Sequence, residues 1–136
     1  MSLFNVLDVS GSGMRAQSIR LNTVASNLAN AESVSSTAEG AYRSKQPIFK
    51  AMLHDGINGA SASVEVTKIV QKETAPRRQY MPEHPMADET GHIYYSNVNS
   101  VEEMANMISA SRAYQNNIEA MNTVKQLMMR TINLGN

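Results

Sequence analysis

Apolar residues return at regular helical intervals near both ends of the chain. Toward the N-terminus, Leu7, Met14, Leu21 and Leu28 stand seven residues apart, with Leu3, Val24 and Ala31 on the adjoining stripe. That spacing keeps one face of a helix apolar and predicts a long helix over residues 3–31. The pattern weakens at Ser10–Gly13, where Gly11 and Gly13 each cost about 1 kcal/mol of helix propensity relative to Ala. Two readings stay open there. Either the helix is bent or frayed before Met14, or the glycines permit close approach of a neighbouring backbone.

The C-terminal pattern is longer. Met104, Met107, Ile108, Tyr114, Ile118, Met121, Val124, Met128 and Ile132 follow spacings of three and four, and Met107, Tyr114, Met121 and Met128 form a heptad row. Ser100 followed by Glu103 reads as a capping box, and Glu102 and Glu103 suit the positive end of a helix dipole. Arg130 lies near the negative end, and Gly135 is a candidate stop. A helix over residues 101–134 would be roughly 50 Å long, several times the usual length in globular proteins.

Between the two lies a segment of different character. Ser33–Thr37 reads as a polar loop, Pro47 and Pro76 break helices, and Gly56–Ser63 is rich in Gly, Ser and Ala. Val64–Gln71 alternates as a strand does, with Lys68 on the apolar side marking it as exposed or at an edge. Pro82, Pro85 and Gly91 exclude regular structure over much of the next stretch, and His92–Tyr95 reads as a short strand. The expected fold is α+β: long N- and C-terminal helices packed as an antiparallel, coiled-coil-like pair, with a small central β-rich module. The corresponding divisions are 1–31, 32–99 and 100–136.

Composition narrows the options. Of the 136 residues 42% are hydrophobic, but only 5% are aromatic and none is Trp, so large side chains for a thick core are few. A net charge of zero argues against a nucleic-acid binder, which needs a basic excess to neutralise phosphates. Without cysteine the chain has no disulfide, thiolate metal site or cysteine nucleophile. No apolar run approaches the roughly 18 residues that span a membrane, and Met1–Met14 lacks the charge and apolar run of a secretory signal. Export, if it occurs, would need another route.

The two helices carry more apolar surface than one mutual contact can cover. Val6, Val9, Ile19 and Ala25 lie off the Leu7 row, and Ala105, Ala113 and Leu127 lie off the C-terminal stripe. Solvated helices usually mix Lys and Glu into their outer faces. Here Ser10–Asn30 contains only Arg15 and Arg20 as charges, and both helices are filled out with Ser, Thr, Asn and Gln. Amides and hydroxyls can enter an interface without the desolvation cost of a charge. Packing against several other subunits accounts for this pattern better than a monomeric hairpin does. A self-contained helical module that binds a peptide is the alternative, with the Met-rich stripe as its groove.

Candidate chemistry is sparse. His84, Asp88 and His92 would share one face of a helix, with Glu83 and Glu89 nearby, and so suggest a metal-dependent hydrolase. The flanking prolines and Gly91 make that helix untenable. His54 beside Asp55 precedes Gly56 and Gly59 and reads as part of a turn. Ser10-Gly-Ser-Gly13 lacks the Lys-Ser/Thr of a phosphate loop, and Arg77–Arg78 is too short a basic patch for nucleic acid. The expectation is a structural protein with no cofactor, metal or small-molecule substrate, and not an enzyme.

Two long motifs then carry a resemblance. Ser12-Gly-Met-Arg-Ala-Gln and Arg20-Leu-Asn-Thr-Val-Ala-Ser-Asn-Leu-Ala-Asn30 resemble the N-terminal signature of bacterial flagellar rod and hook axial proteins. Val98-Asn-Ser-Val-Glu-Glu-Met-Ala-Asn-Met-Ile-Ser-Ala-Ser-Arg-Ala-Tyr-Gln-Asn-Asn117 resembles their C-terminal signature. Tyr42-Arg43, Pro47-Ile-Phe49, Tyr80-Met-Pro-Glu-His-Pro-Met-Ala-Asp88, Gly91 and Tyr95-Ser-Asn-Val-Asn99 are similar to the short proximal-rod branch of that family. The polar insertion Glu32–Glu39 before Gly40-Ala-Tyr42 departs from the general axial pattern and suits the same branch. The resemblance implies a subunit of the basal-body rod in the periplasm, exported by the flagellar type III apparatus without a cleaved signal. It implies self-assembly with related axial proteins into a helical tube, the terminal helices inside and the central module outside. On that basis the expected assembly interface comprises Leu7, Met14, Leu21, Val24, Leu28, Met104, Met107, Ile108, Tyr114, Ile118, Met121 and Met128.

Overall fold

The structure is a computed structural model that describes residues 3–56 and 59–134, with side chains described outside 54–61. Two helices frame the molecule, α1 over Leu3–Ala29 and α2 over Ser100–Leu134. Gly11 faces Met121, Gly13 faces Asn117, and the Arg20 guanidinium donates to Asn106 Oδ1 at 3.1 Å, so the helices run antiparallel. Counting from the Gly11–Met121 contact, the start of α1 at Leu3 falls opposite Met129. The last turn of α2 therefore extends beyond its partner.

α1 is continuous through Ser10–Gly13, which decides between the two readings of its glycines. A Cβ at Gly13 would sit 3.0 Å from the Asn117 amide, tighter than nearly all real Cβ contacts. The glycine is there for helix contact, not for a bend. The rest of the seam is also built from small groups: Ser10, Ala16 and Val24 on α1 and Ala110 and Val124 on α2 are buried. Among the described residues, the largest fully buried side chains are only Ile93, Asn27, Ser12 and Ser96. The core is thin, as the scarcity of aromatics requires.

The start of α2 differs from the expected capping box. Asn99, not Ser100, is the cap: its Oδ1 accepts from Val101 N and Glu102 N at 3.0 and 3.2 Å. Asn is as good an acceptor for these orphan N–H groups as Ser. Glu103 is freed from reaching back and turns inward, where it is 4% exposed and accepts from Ser44 Oγ. The expected stop at Gly135 lies outside the described residues.

The central segment contains more strand than the sequence pattern suggests. Lys45–Gly56 (β2) and Gly59–Gln71 (β3) form a long antiparallel ribbon with a register shift between Ile48 and Phe49. The Gly/Ser/Ala-rich stretch after residue 58, expected as loop, is part of β3, and His54–Asp55 lies in β2, not in a turn; the side chains of those two are outside the described set. Pro47 is tolerated because a two-stranded ribbon has only edges. Such a ribbon is marginal by itself. α1 supports it, and the Ser12 hydroxyl accepts the Val64 N–H at 3.0 Å while donating to Val9 O. Lys68 is exposed, as its place on the apolar side suggested.

A second sheet orders Val34–Ser35 (β1), His92–Tyr95 (β5) and Arg77–Tyr80 (β4), with β5 central and all pairs antiparallel. Part of the expected loop at Ser33–Thr37 is thus strand, because Val34 and Ser35 pair with Tyr95 and Tyr94. Ile93 is fully buried at the sheet's centre. Gly91 has φ +74°, and a Cβ there would meet Tyr80 and Pro82, so only glycine fits that turn.

One buried junction ties these parts together. The Asn27 side chain, 0% exposed, donates from Nδ2 to Lys45 O at 2.8 Å and accepts at Oδ1 from Lys45 N at 2.9 Å. It thereby pairs with the root of β2 as a strand backbone would. Oδ1 also accepts from Tyr42 OH, and Ser44 Oγ takes a second bond from Nδ2. Ser44 N donates to Asn97 Oδ1 at 2.7 Å, and Asn97 Nδ2 donates to Lys72 O and Thr74 O at the end of β3. Replacing Asn27 with Leu leaves both polar groups of Lys45 unpaired. We expect a loss of at least about 2 kcal/mol in folding stability, roughly one to three per orphaned group, measured by denaturant unfolding.

The turn over residues 81–91 is held by Asp88. Its carboxylate accepts from the Thr90 hydroxyl at 2.7 Å, from the backbone N–H groups of His92 and Thr90, and from Tyr94 OH. These bonds, the Thr90 hydroxyl first and the His92 N–H next, lower the Asp88 pKa from 3.8 to about 2. A folded-state pKa below the unfolded value means the turn is fully supported above about pH 3.8 and loses that support as pH falls toward 2. Protection of the Thr90 and His92 amides, taken relative to their intrinsic exchange rates, should fall over that window, and Asp88→Asn should abolish that change.

Candidate assembly interface

The apolar residues named from the sequence divide into three groups by exposure. Leu7, Met14, Leu21 and Leu28 on α1 are half-buried, as are Met107, Tyr114, Met121 and Met128 on α2. Each row is only partly covered by the chain's own helix pair. Val24 is buried within the chain and presents almost nothing to a neighbour. Met104, Ile108 and Ile118 are exposed, at 50%, 57% and 37%.

Those three belong to a longer stripe that the heptad pattern conceals. Val101, Met104, Ile108, Gln115, Ile118, Asn122 and Met129 repeat at intervals of three, four and seven, and all are exposed. The spacing places them on one side of α2, next to the heptad row that packs toward α1. Leu127, Ile132 and Leu134 add exposed apolar groups on the overhanging end. Phe4 at the start of α1 is also exposed, so this end of the helix pair is apolar on both strands of the seam. The signal for Val101 and Met129 was present as spacing from Met104 and Ile118. It is easily missed because the half-buried heptad row gives the stronger periodicity.

The members of the stripe are apolar or amide-bearing. Arg112 and Glu119 edge it on one side and Lys125 on the other. Other amides expected to serve interfaces are committed internally: Asn27 to Lys45, Asn30 Nδ2 to Ser26 O, Asn117 Nδ2 to Ala113 O, and Asn106 to Arg20. Gln115, Asn116 and Asn122 stay exposed. Three polar atoms shielded from solvent lack hydrogen-bond partners among the described residues: Asn5 Nδ2, Gln17 Oε1 and Glu103 Oε2. All three lie on the terminal helices.

Exposed apolar groups also mark the ribbon. Ile48, Phe49, Leu53 and Ile69 project from β2 and β3, with Leu53 77% exposed. Ion pairing contributes little to the fold: Lys72–Glu102 and Arg77–Glu32 are both 3.9 Å apart and solvent-exposed.

The residues weighed for chemistry have local duties. His84 Nδ1 accepts from Met86 N, and Asp88 is occupied by the turn it organises. His92 Nδ1 meets the Arg78 guanidinium at 3.0 Å and the Thr90 hydroxyl. Arg77 lies over the Tyr95 ring and donates to Ser96 O, so the short basic patch is part of the sheet's own fastening. Among the described residues no group of three or more His, Asp or Glu side chains is arranged to hold a metal. No described helix is long and apolar enough to cross a membrane.

Comparison with known proteins matches both helical ends. Residues 7–34 match the family model described as flagella basal body rod protein, and residues 89–134 match the C-terminal model of the flagellar basal body rod FlgEFG proteins. Over 135 residues the chain is 44% identical to the flagellar basal-body rod protein FlgC of Salmonella typhimurium (strain LT2), covering 99% of both chains. It is 43% identical to FlgC of Escherichia coli O157:H7 over the same share, and 39% identical to FlgC of Aquifex aeolicus (strain VF5) over 96% of both. Two helices that leave an apolar stripe open, in a chain that matches these relatives from end to end, place it in its group: it belongs to the family of flagellar basal-body rod proteins, on the FlgC branch.

Proposed function

We propose that this chain is a structural subunit of the flagellar basal-body rod. Its end helices pack with those of other copies and of related axial proteins to form a helical tube that carries motor torque. The observation that carries this reading is the exposed stripe from Val101 to Met129 beside a half-covered heptad row. An apolar face of that length has no stable place in water, and burial against neighbours removes it. A contact between unlike surfaces of identical subunits that does not close on itself produces a helical array.

In this arrangement residues 1–31 and 100–136 line the inner tube and residues 32–99 face outward. The interface comprises the two heptad rows, Leu7 to Leu28 and Met107 to Met128, with Met104, Ile108 and Ile118. Val24 contributes by holding the helix pair in shape. The subunit transmits force and turns over no substrate. It works in the periplasmic part of the basal body, delivered there by the flagellar type III export apparatus with no cleaved signal peptide. The low charge of the helix faces supports such an assembly, because subunits that meet without ion pairs impose little desolvation penalty on charges.

Ile108→Asp separates assembly from folding. The residue is mostly exposed in the single chain, so the isolated variant should unfold within about 0.5 kcal/mol of the parent. In a strain carrying only this variant, rods should fail to form and swimming should cease; normal swimming would sink the proposal. Circular dichroism gives a second check. The isolated chain should show less helix than α1 and α2 together contain, because the ends of long helices without neighbours fray. Full helicity with a sharp monomeric melt would instead favour a self-contained binding module.

A further inference from the structure

We propose that the groove between α1 and β3 receives the exposed stripe of α2 from a second copy of this chain, with that copy's Glu119 set against Arg15 and its Lys125 against Glu65. The inference rests on the rod reading and adds the surface on which the stripe is seated.

The ribbon runs beside α1 without closing onto it. Val64 N donates to Ser12 Oγ at 3.0 Å, which ties the edge of β3 to the helix at one point. Beside that tie a groove of about 390 Å³ stays open, with Arg15, Ala16 and Ile19 on one bank and Met52, Val64 and Glu65 on the other. Its apolar walls are reachable from outside. Ile19 and Val64 are each 37% exposed, and Met52 is half-buried. Arg15 and Glu65 are exposed, and among the described residues neither side chain has an ion pair or a hydrogen bond. Lys50 stands opposite Glu65 across the ribbon but forms no ion pair with it.

A groove with apolar walls, a cation on the α1 bank and an anion on the β3 bank selects its occupant by charge. The occupant must be apolar along its middle, negative toward α1 and positive toward β3. The α2 stripe has this layout. Ile118 and Asn122 lie between Glu119 and Lys125, which stand about 120° apart around the helix on opposite edges of the stripe. Both charged side chains are exposed and unpaired among the described residues. Seated lengthwise in the groove, α2 turns one charged edge to each bank and lays Ile118 against the apolar walls. Arg112 shares the Glu119 edge but lies two turns away, about 10 Å along the axis, and does not contest the Arg15 contact. Reversing the helix would bring like charges together, so the two pairs also fix its direction. The surfaces that meet are unlike, one a helix face and the other a helix–strand groove, so the contact repeats from copy to copy.

Charge reversal tests the contact. Both residues are exposed, so isolated Arg15→Glu and Glu119→Arg should each melt within about 2 °C of the parent. In strains bearing either variant as the sole copy, assembled rods should fall at least about tenfold, because like charges then meet. The double variant R15E with E119R should recover most of them. R15E with Lys125→Glu, which reverses the opposite edge, should not. Normal rod numbers with R15E, or a loss that E119R leaves unrelieved, would overturn the proposal; a related axial protein seated in the groove would give the second result. If R15E melts well below the parent, cross-linking decides. The chain has no cysteine, so Ile19→Cys combined with Ile118→Cys should give disulfide-linked dimers in purified basal bodies. Absence of dimers would overturn it. Failure here with Ile108→Asp still blocking assembly would remove the groove contact and leave the rod reading in place.

Discussion

The fold depends on one side-chain amide acting as a piece of backbone. Asn27 faces Lys45 with a donor and an acceptor in the spacing of a neighbouring strand, and both are used. A ribbon of two strands has no second partner to hold it, and its root would otherwise bury unpaired polar groups against α1. Ser44 and Asn97 extend the same junction to the return of β3 and to the start of α2. Four segments distant in sequence are fixed by hydrogen bonds where a larger protein would use a thick apolar core. A buried amide with both ends satisfied suits this role because its geometry is specific.

That choice follows from what the helices are reserved for. With mostly small residues fully buried at the α1–α2 seam, the helices approach closely and the larger residues of the heptad rows are only half-covered. Large residues such as Met104, Ile108, Ile118, Met129 and Ile132 remain outside. A helix pair that buried its Met and Ile internally would be a better monomer and a poorer building block. Polar fastening within the chain leaves these apolar side chains free for the fastening between chains that we propose.

Much of this was legible in the sequence, and the parts that were not have physical causes. Helix period is strong over thirty residues, so both helices and their antiparallel pairing could be read, along with the short strand at His92–Tyr95. The ribbon was half visible: Val64–Gln71 alternates, but Lys45–Gly56 has Pro47, a register shift and a His-Asp-Gly end that obscure period two. Val34–Ser35 and Arg77–Tyr80 become strands only because β5 lies between them. Tertiary pairing decides such short segments, not their own preference. The Asn27 junction left no periodic trace, since a single buried Asn looks like any other amide in a polar-rich helix. The helix cap falls one residue from its expected place because Asn99 and Ser100 are both good caps, and only the inward turn of Glu103 distinguishes them.

The position of Glu103 joins the two kinds of fastening. In a capping box its carboxyl would be used at the helix start, closing α2 as a self-sufficient unit. With Asn99 taking that task, the same side chain reaches Ser44 and stiffens the junction from the α2 side. Its second oxygen is sealed from solvent and has no hydrogen-bond partner among the described residues. Asn5 and Gln17, likewise short of one partner each among the described residues, stand on the other terminal helix. A buried polar atom without a partner is destabilising, so each of these positions lowers the stability of the single chain.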